Sequence, residues 1–241
     1  MEPISQTAPL LPGRPVLQQF WADLTFLHWR VDAEQVAPLL PPGIVPDVFD
    51  GTSWVGLIPF RMLDSAFFGG PPVPYFGSFT EVNVRLYGVD RHGRRGVVFA
   101  SLEASRLAAV VAARAAFGLP YFWATADFGH DGPEYRYVSR RVSRAAPSTR
   151  IVSRASEVAV VGDPLAEFLT ARWRLFVGRG GRTLVQANRH GAWPLVEAEL
   201  LDLDDGLLAA AGLPGFADRP PDSVLFSPGV LTQFSGARPV E

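Results

Sequence analysis

Along Glu81-Val82-Asn83-Val84-Arg85 a carboxylate, an amide and a guanidinium occur at every second residue. Side chains of a β-strand alternate, so this spacing sets Glu81, Asn83 and Arg85 on one face and Thr80, Val82, Val84 and Leu86 on the other. Facing water, the three polar groups would be the solvated side of an antiparallel sheet. Facing an enclosed cavity, they could do chemistry. Arg85 can clamp a carboxylate through two parallel hydrogen bonds, and a desolvated Glu81 can exchange a proton near neutral pH. The two residues stand roughly 13 Å apart at Cα, so Arg85 must bend back to pair with Glu81. Each otherwise needs a cross-strand partner, water or a ligand.

Other segments supply neighbours for an enclosed face. Leu24, Phe26, His28 and Arg30 share one side of an alternating stretch, while Gly96, Val98, Ala100 and Leu102 form a small-residue side that leaves space. An interior made of Glu81, Asn83, Arg85, His28 and Arg30 would be a polar pocket within apolar walls. The four histidines, His28, His92, His130 and His190, form neither an i,i+4 helical pair nor a His-x-His strand pair, so no metal centre is expected. His190 stands ahead of the others as a site residue because it precedes Trp193-Pro194. There is no Gly-x-Ser-x-Gly elbow, and Gly178-Arg179-Gly180-Gly181 lacks the spacing and following helix of a phosphate loop. No cofactor is called for.

Composition removes further chemistry. None of the 241 residues is cysteine, which excludes disulfides and thiolate nucleophiles and suits a reducing cytoplasm. All 22 basic residues are arginine, so no lysine can form a Schiff base. The net charge of -2 offers no general attraction to nucleic acid or an anionic membrane. Arginines are concentrated between Arg136 and Arg154, a pattern that fits a solvated hairpin. The N-terminus lacks the basic start and apolar run of a secretory signal, and no stretch approaches the roughly 20 apolar residues of a membrane span. The expectation is a cytoplasmic protein with neither nucleic-acid nor membrane partners.

These residues must be positioned by a strand-rich fold. Strands are expected over 20–31, 53–62, 78–89, 96–104, 135–142, 150–160, 173–177, 182–188 and 193–203, punctuated by turns such as Asp50-Gly51 and Arg91-His92-Gly93. Many strands at short spacing argue for an all-β barrel or sandwich. Three helices flank it. Asp32 can cap 33–40, Ser105 can cap 106–117 with Gly118 at its end, and Asp163 with Pro164 opens a helix toward Arg172. Residues 1–19 read as an irregular N-terminal segment and 20–241 as a single barrel domain, with 204–222 irregular as well. The connection 63–77 carries Phe67, Phe68, Tyr75 and Phe76, which cover a pocket or bury themselves against a second copy in a homo-oligomer.

Six ordered blocks carry a family resemblance: Phe26-Leu27-His28-Trp29, Leu39-Leu40-Pro41-Pro42-Gly43, Gly51 with Trp54-Val55-Gly56-Leu57-Ile58-Pro59-Phe60, Glu81-Val82-Asn83-Val84-Arg85, Gly118-Leu119-Pro120-Tyr121-Phe122, and Trp193-Pro194-Leu195. Through them the chain resembles the YqjF-like family of uncharacterised bacterial proteins, grouped with the acetoacetate decarboxylase-like superfamily. The resemblance implies a mainly β fold: a closed or cone-like barrel with a central cavity and flanking helices. It also turns Glu81, Asn83 and Arg85 toward that cavity.

In the superfamily's decarboxylases a lysine after a Gly-x-Pro turn forms an imine with a β-keto acid. The similar turn here is Gly118-Leu119-Pro120, followed by Tyr121, so the resemblance does not extend to imine chemistry. What remains is a pocket for a small organic acid or carbonyl compound. Glu81 and Tyr121 are the candidate catalytic residues, and Arg85, Asn83, Arg30, His28, His190 and Trp193 the candidate substrate-binding ones. The reaction class that fits is proton transfer or elimination next to a carbonyl. The competing class is a non-catalytic ligand-binding or stress-associated structural protein in which the same polar residues fix barrel register.

Overall fold

The structure is a computed structural model and describes residues 1–240. Its strands are β1 (Leu17–Val31), β2 (Ile44–Pro46), β3 (Ser53–Phe67), β4 (Phe79–Asp90), β5 (Arg95–Ala104), β6 (Tyr121–Asp131), β7 (Glu134–Arg141), β8 (Ser148–Ala159), β9 (Arg174–Arg179), β10 (Arg182–Arg189), β11 (Val196–Asp205), β12 (Ser223–Phe234) and β13 (Arg238–Pro239). The helices are α1 (Ala33–Val36), which tightens into a 3-10 turn over Ala37–Leu39, then α2 (Leu107–Phe117), α3 (Pro164–Thr170) and α4 (Leu207–Ala210). None is long and apolar enough to cross a membrane.

Most strands form where alternation and turn residues place them. The Gly180-Gly181 turn closes the β9–β10 hairpin with Arg179 opposite Arg182, both glycines taking positive φ. Asp163 caps α3 by accepting a hydrogen bond from the Ala166 backbone N–H at 2.6 Å. Several expectations are corrected. Asp32 stands at the N-cap of α1 but makes no side-chain cap bond, and the helix expected over 33–40 is α-helical only through Val36. The α2 cap is Arg106 rather than Ser105 and makes no side-chain cap bond. A fourth helix, α4, stands within the stretch 204–222 that reads as irregular. Strand β1 begins at Leu17, inside the segment expected to be irregular.

Strands β6 and β12 are also absent from the sequence-based set. Pro228 and Gly229 interrupt the β12 pattern, yet the strand runs through them beside β1, pairing Gly229 with Ala22. Gly229 adopts φ 132°, and a Cβ there would lie 2.1 Å from the Trp21 carbonyl oxygen. Only glycine permits this approach of the two backbones.

All thirteen strands belong to one sheet that closes on itself twice. One circuit runs β5-β6-β7-β8-β11-β12-β1-β3-β4 and returns to β5. The other leaves β5 through β9 and β10 and rejoins at β12. The two circuits therefore share the wall β12-β1-β3-β4-β5, whose opposite faces look into different interiors. On β4 the even side chains Val82, Val84 and Leu86 enter the main hydrophobic core with Leu27, Trp29 and Leu57. The odd side chains enter the second interior. From Glu81 onward both faces of β4 are largely removed from bulk solvent, so its polar side chains line an interior rather than the outer surface. Glu81, Asn83 and Arg85 are 1%, 5% and 8% exposed.

Candidate functional site

The second interior holds a cavity of about 530 Å³. Register assembles its wall. Glu81 lies opposite Phe60 of β3 and Ala104 of β5, Asn83 opposite Ile58 and Leu102, and Arg85 opposite Gly56 and Phe99. The parallel pairing of Leu102 with Tyr121 then adds the start of β6. This placement depends on the end of α2. Gly118 takes a left-handed φ of 71° and donates its N–H to the Arg114 carbonyl, so the chain turns through Leu119-Pro120 directly into β6. The Tyr121 hydroxyl thereby donates to Glu81 Oε2 at 2.8 Å.

Burial pushes the Glu81 carboxyl up to about 8, against the opposing effects of its hydrogen bonds to Tyr121 and Asn83. Glu81 is thus mainly neutral at pH 7. Burial and the neighbouring Glu81 both hold the Tyr121 phenol well above its ordinary range, so it stays a donor. The Asn83 amide oxygen has no hydrogen-bond partner among the described residues.

Arg85 occupies the deep end. Its Nε donates to the Tyr87 hydroxyl at 2.8 Å and its Nη2 to the Leu169 carbonyl of α3 at 2.8 Å. The guanidinium sits 5.4 Å from the Phe26 ring centroid. Its hydrogen-bond partners are neutral, in contrast to the other buried guanidinium of the lining, Arg172. Arg172 Nη1 meets Asp47 Oδ2 at 2.5 Å, and Arg95 Nη1 meets Asp47 Oδ1 at 2.5 Å. One carboxylate therefore serves two arginines, and Arg172 Nη2 is buried without a partner among the described residues. Nearby His190 is held down to about 4, chiefly by burial with Arg85 adding to the effect, so it is neutral. Its Nδ1 lies 2.6 Å from the Gly191 carbonyl, a contact consistent with an N–H at that nitrogen. The deep end carries excess positive charge.

The structure brings Glu81, Asn83, Arg85, Tyr121, His190 and Trp193 onto one cavity, with the Trp193 indole donating to the Thr170 carbonyl at 3.1 Å. Two expected site residues are elsewhere. Arg30 is exposed on the outer end of β1, near Asp222 and over the Trp54 ring, because β1 has left the cavity wall by that point. His28 is fully buried behind the lining, its Nε2 2.6 Å from the Tyr87 hydroxyl. Burial and the charges of Arg85 and Arg172 hold His28 well below its usual value, so it is neutral and supports Tyr87.

Sequence reasoning missed Tyr87, Arg172, Gln186 and Asn188. Three of them had a signal. Tyr87 extends the Glu81, Asn83, Arg85 alternation by one step, and Gln186 and Asn188 lead to His190 at the same period. Arg172 follows a helix end, and only the packing of α3 reveals its direction.

A doubly closed β-sheet with few helices is an acetoacetate decarboxylase-like fold. The structure superposes on acetoacetate decarboxylase from Legionella pneumophila with a TM-score of 0.70, at 14% identity over 96% of this chain and 89% of that one. An acetoacetate decarboxylase-like enzyme from Sphingomonas wittichii RW1 gives 0.66 at 16% identity, covering 98% and 99%. The enduracididine biosynthesis enzyme MppR, complexed with pyruvate, gives 0.61 at 16% identity, covering 100% and 99%. These likenesses show the fold. Within that fold, the chain belongs to the DUF2071 family, described as an uncharacterized conserved protein, whose model matches residues 18–231. The uncharacterized protein YqjF of Bacillus subtilis (strain 168) is 31% identical over 186 residues, 76% of each chain.

Proposed function

We propose that this protein binds a carbonyl-bearing organic acid in the cavity beside β4 and moves a proton next to that carbonyl without an imine. The observation that carries this reading is charge balance. Among the described residues, Arg85 is buried with neutral partners and no carboxylate within 4 Å, while Arg172 and Arg95 share Asp47. A buried cation without a counter-ion is costly, and an arriving carboxylate offsets that cost through charge-assisted hydrogen bonds. The same fold accommodates pyruvate in MppR, which supports an acid of this kind.

Glu81 suits the proton transfer. With a pKa of about 8 it is mainly protonated at neutral pH and still has an accessible ionised form. The neutral form donates to a carbonyl oxygen, and the ionised form takes a proton from the adjacent carbon. Tyr121 holds one carboxyl oxygen and fixes the orientation of the other. The absence of lysine removes the covalent route of the decarboxylases, leaving acid and base catalysis.

Titration calorimetry with pyruvate, 2-oxobutanoate and acetoacetate tests the binding half. The native protein is expected to bind at least one of them, and Arg85→Ala to weaken it tenfold or more. No binding by the native protein, either of these acids or of their longer-chain 2-oxo homologues, would sink the reading. Deuterium incorporation beside the carbonyl, followed by NMR in heavy water, tests the proton transfer. Glu81→Gln should keep binding and lose the exchange; exchange that survives the substitution removes Glu81 from the chemistry. Binding with no exchange by the native protein would identify a non-catalytic receptor.

A further inference from the structure

The cavity is asymmetric along β4. Phe79, Glu81, Asn83 and Arg85 all line it, and the run from Phe79 to Arg85 spans roughly 20 Å at Cα. Its charged lining residues, Glu81, Arg85 and Arg172, are each less than a tenth exposed. At the Phe79 end the lining changes character. Phe67, Phe68 and Phe76 come from the end of β3 and the following loop, and Phe68 is 81% exposed, so this end meets solvent.

Across from the loop, α2 turns Ala108, Ala112 and Ala116 toward the cavity, a face of methyl groups that narrows it little. Arg106, at the start of α2, ties the two sides of the opening together. Its guanidinium lies 4.1 Å from the Tyr75 ring centroid and its Nε donates to the Tyr75 carbonyl at 3.3 Å. The opening is thus a long apolar passage leading to a buried cation. A three- or four-carbon acid held by Arg85 would leave most of this passage empty, since about 530 Å³ is the size of pocket that usually encloses a much larger ligand.

We infer that the ligand is an amphiphilic acid: its carboxylate sits on Arg85 and an extended acyl or aryl tail runs past Glu81 to the aromatic and alanine-lined opening. The inference rests on the organic-acid reading above and adds the tail. Exposed apolar side chains at the opening are then contact surface for that tail, and the alanines of α2 make room for it. Tail burial at this end supplies affinity without a hydrogen bond, and the deep polar groups fix which end enters first.

A series of straight-chain carboxylates from propanoate to decanoate, with the matching 2-oxo acids, separates the tail from the head. Measured by calorimetry, affinity is expected to rise about fourfold per added methylene until the passage is filled. Ala112→Trp, at a position of α2 that lines the solvent-open end of the passage, should make the rise level off at a shorter acid. Arg85→Ala should weaken the whole series. Affinity that depends on Arg85 but stays flat with chain length overturns the tail and leaves the organic-acid reading standing. No binding by any member, or binding indifferent to Arg85, overturns both.

Discussion

The Tyr121 hydroxyl donates to the Glu81 carboxyl across 2.8 Å, joining the first residue of β6 to the middle of β4. A neutral Glu81 accepts this bond on Oε2, so its proton belongs on Oε1. The contact therefore orients the group on which the proposed chemistry depends, and partly offsets the rise in its pKa that burial causes.

Stability should fall as pH rises through the neutral range. The folded-state value of Glu81 is about 8 against an ordinary 4.5, so its contribution is fully present below 4.5 and is lost as pH climbs toward and through 8. The accompanying loss is at most about 5 kcal/mol. Glu81→Gln cannot ionise and should flatten that slope, matching the native protein near pH 5 and exceeding it above pH 8. Melting temperatures across pH 4.5 to 9 measure it; parallel curves for the two proteins would show that Glu81 is not the titrating group.

Tyr121→Phe removes a hydrogen bond that favours the ionised carboxylate, so the Glu81 carboxyl should titrate above its native value of about 8. Carbon-13 NMR of the glutamate carboxyls reads the shift directly. At neutral pH the variant should lose about 1 kcal/mol of stability by urea denaturation. A downward shift would contradict the assigned direction of the bond.

Asp47 is fully buried and bonds both Arg95 and Arg172. Asp47→Asn leaves two guanidinium groups without their shared carboxylate, one of them beside the cavity. The expected cost is about 3 to 5 kcal/mol, measured by urea denaturation. A loss under 1 kcal/mol would mean that neighbouring dipoles already satisfy both cations.

Gly229→Ala places a methyl group against the Trp21 carbonyl, where β12 crosses close to β1. Strain and overpacking together should cost roughly 2 kcal/mol or more. Because Trp21 lines the cavity, its fluorescence should change in the folded variant; an unchanged spectrum and unchanged stability would show that the two strands part easily.

The alternation of β4, the Asp163 cap, the Gly180-Gly181 turn and the missing lysine were legible because each is a local property, whereas neither Asp32 nor Ser105 makes the cap bond its position suggests. Glu81, Asn83 and Arg85 share a face at any strand spacing of two, and no folding can supply an absent amine. His28 and Arg30 show where this logic stops. They extend the face of Leu24 and Phe26 correctly, yet one ends behind the lining and the other outside the cavity. Alternation gives the side of a strand and not how far the wall beside it continues.

Sequence by itself therefore determined a strand-rich chain with three polar groups on one strand face and no capacity for a lysine imine. Tertiary structure alone decided that this face lines an interior cavity. Two sheet circuits share β4, so both of its sides face interiors rather than bulk solvent; burial raises Glu81, and among the described residues Arg85 is left without a carboxylate. Those properties arise from desolvation and from partners distant in the chain: Tyr121 is 40 residues from Glu81, and Leu169 is 84 from Arg85. No local spacing encodes them.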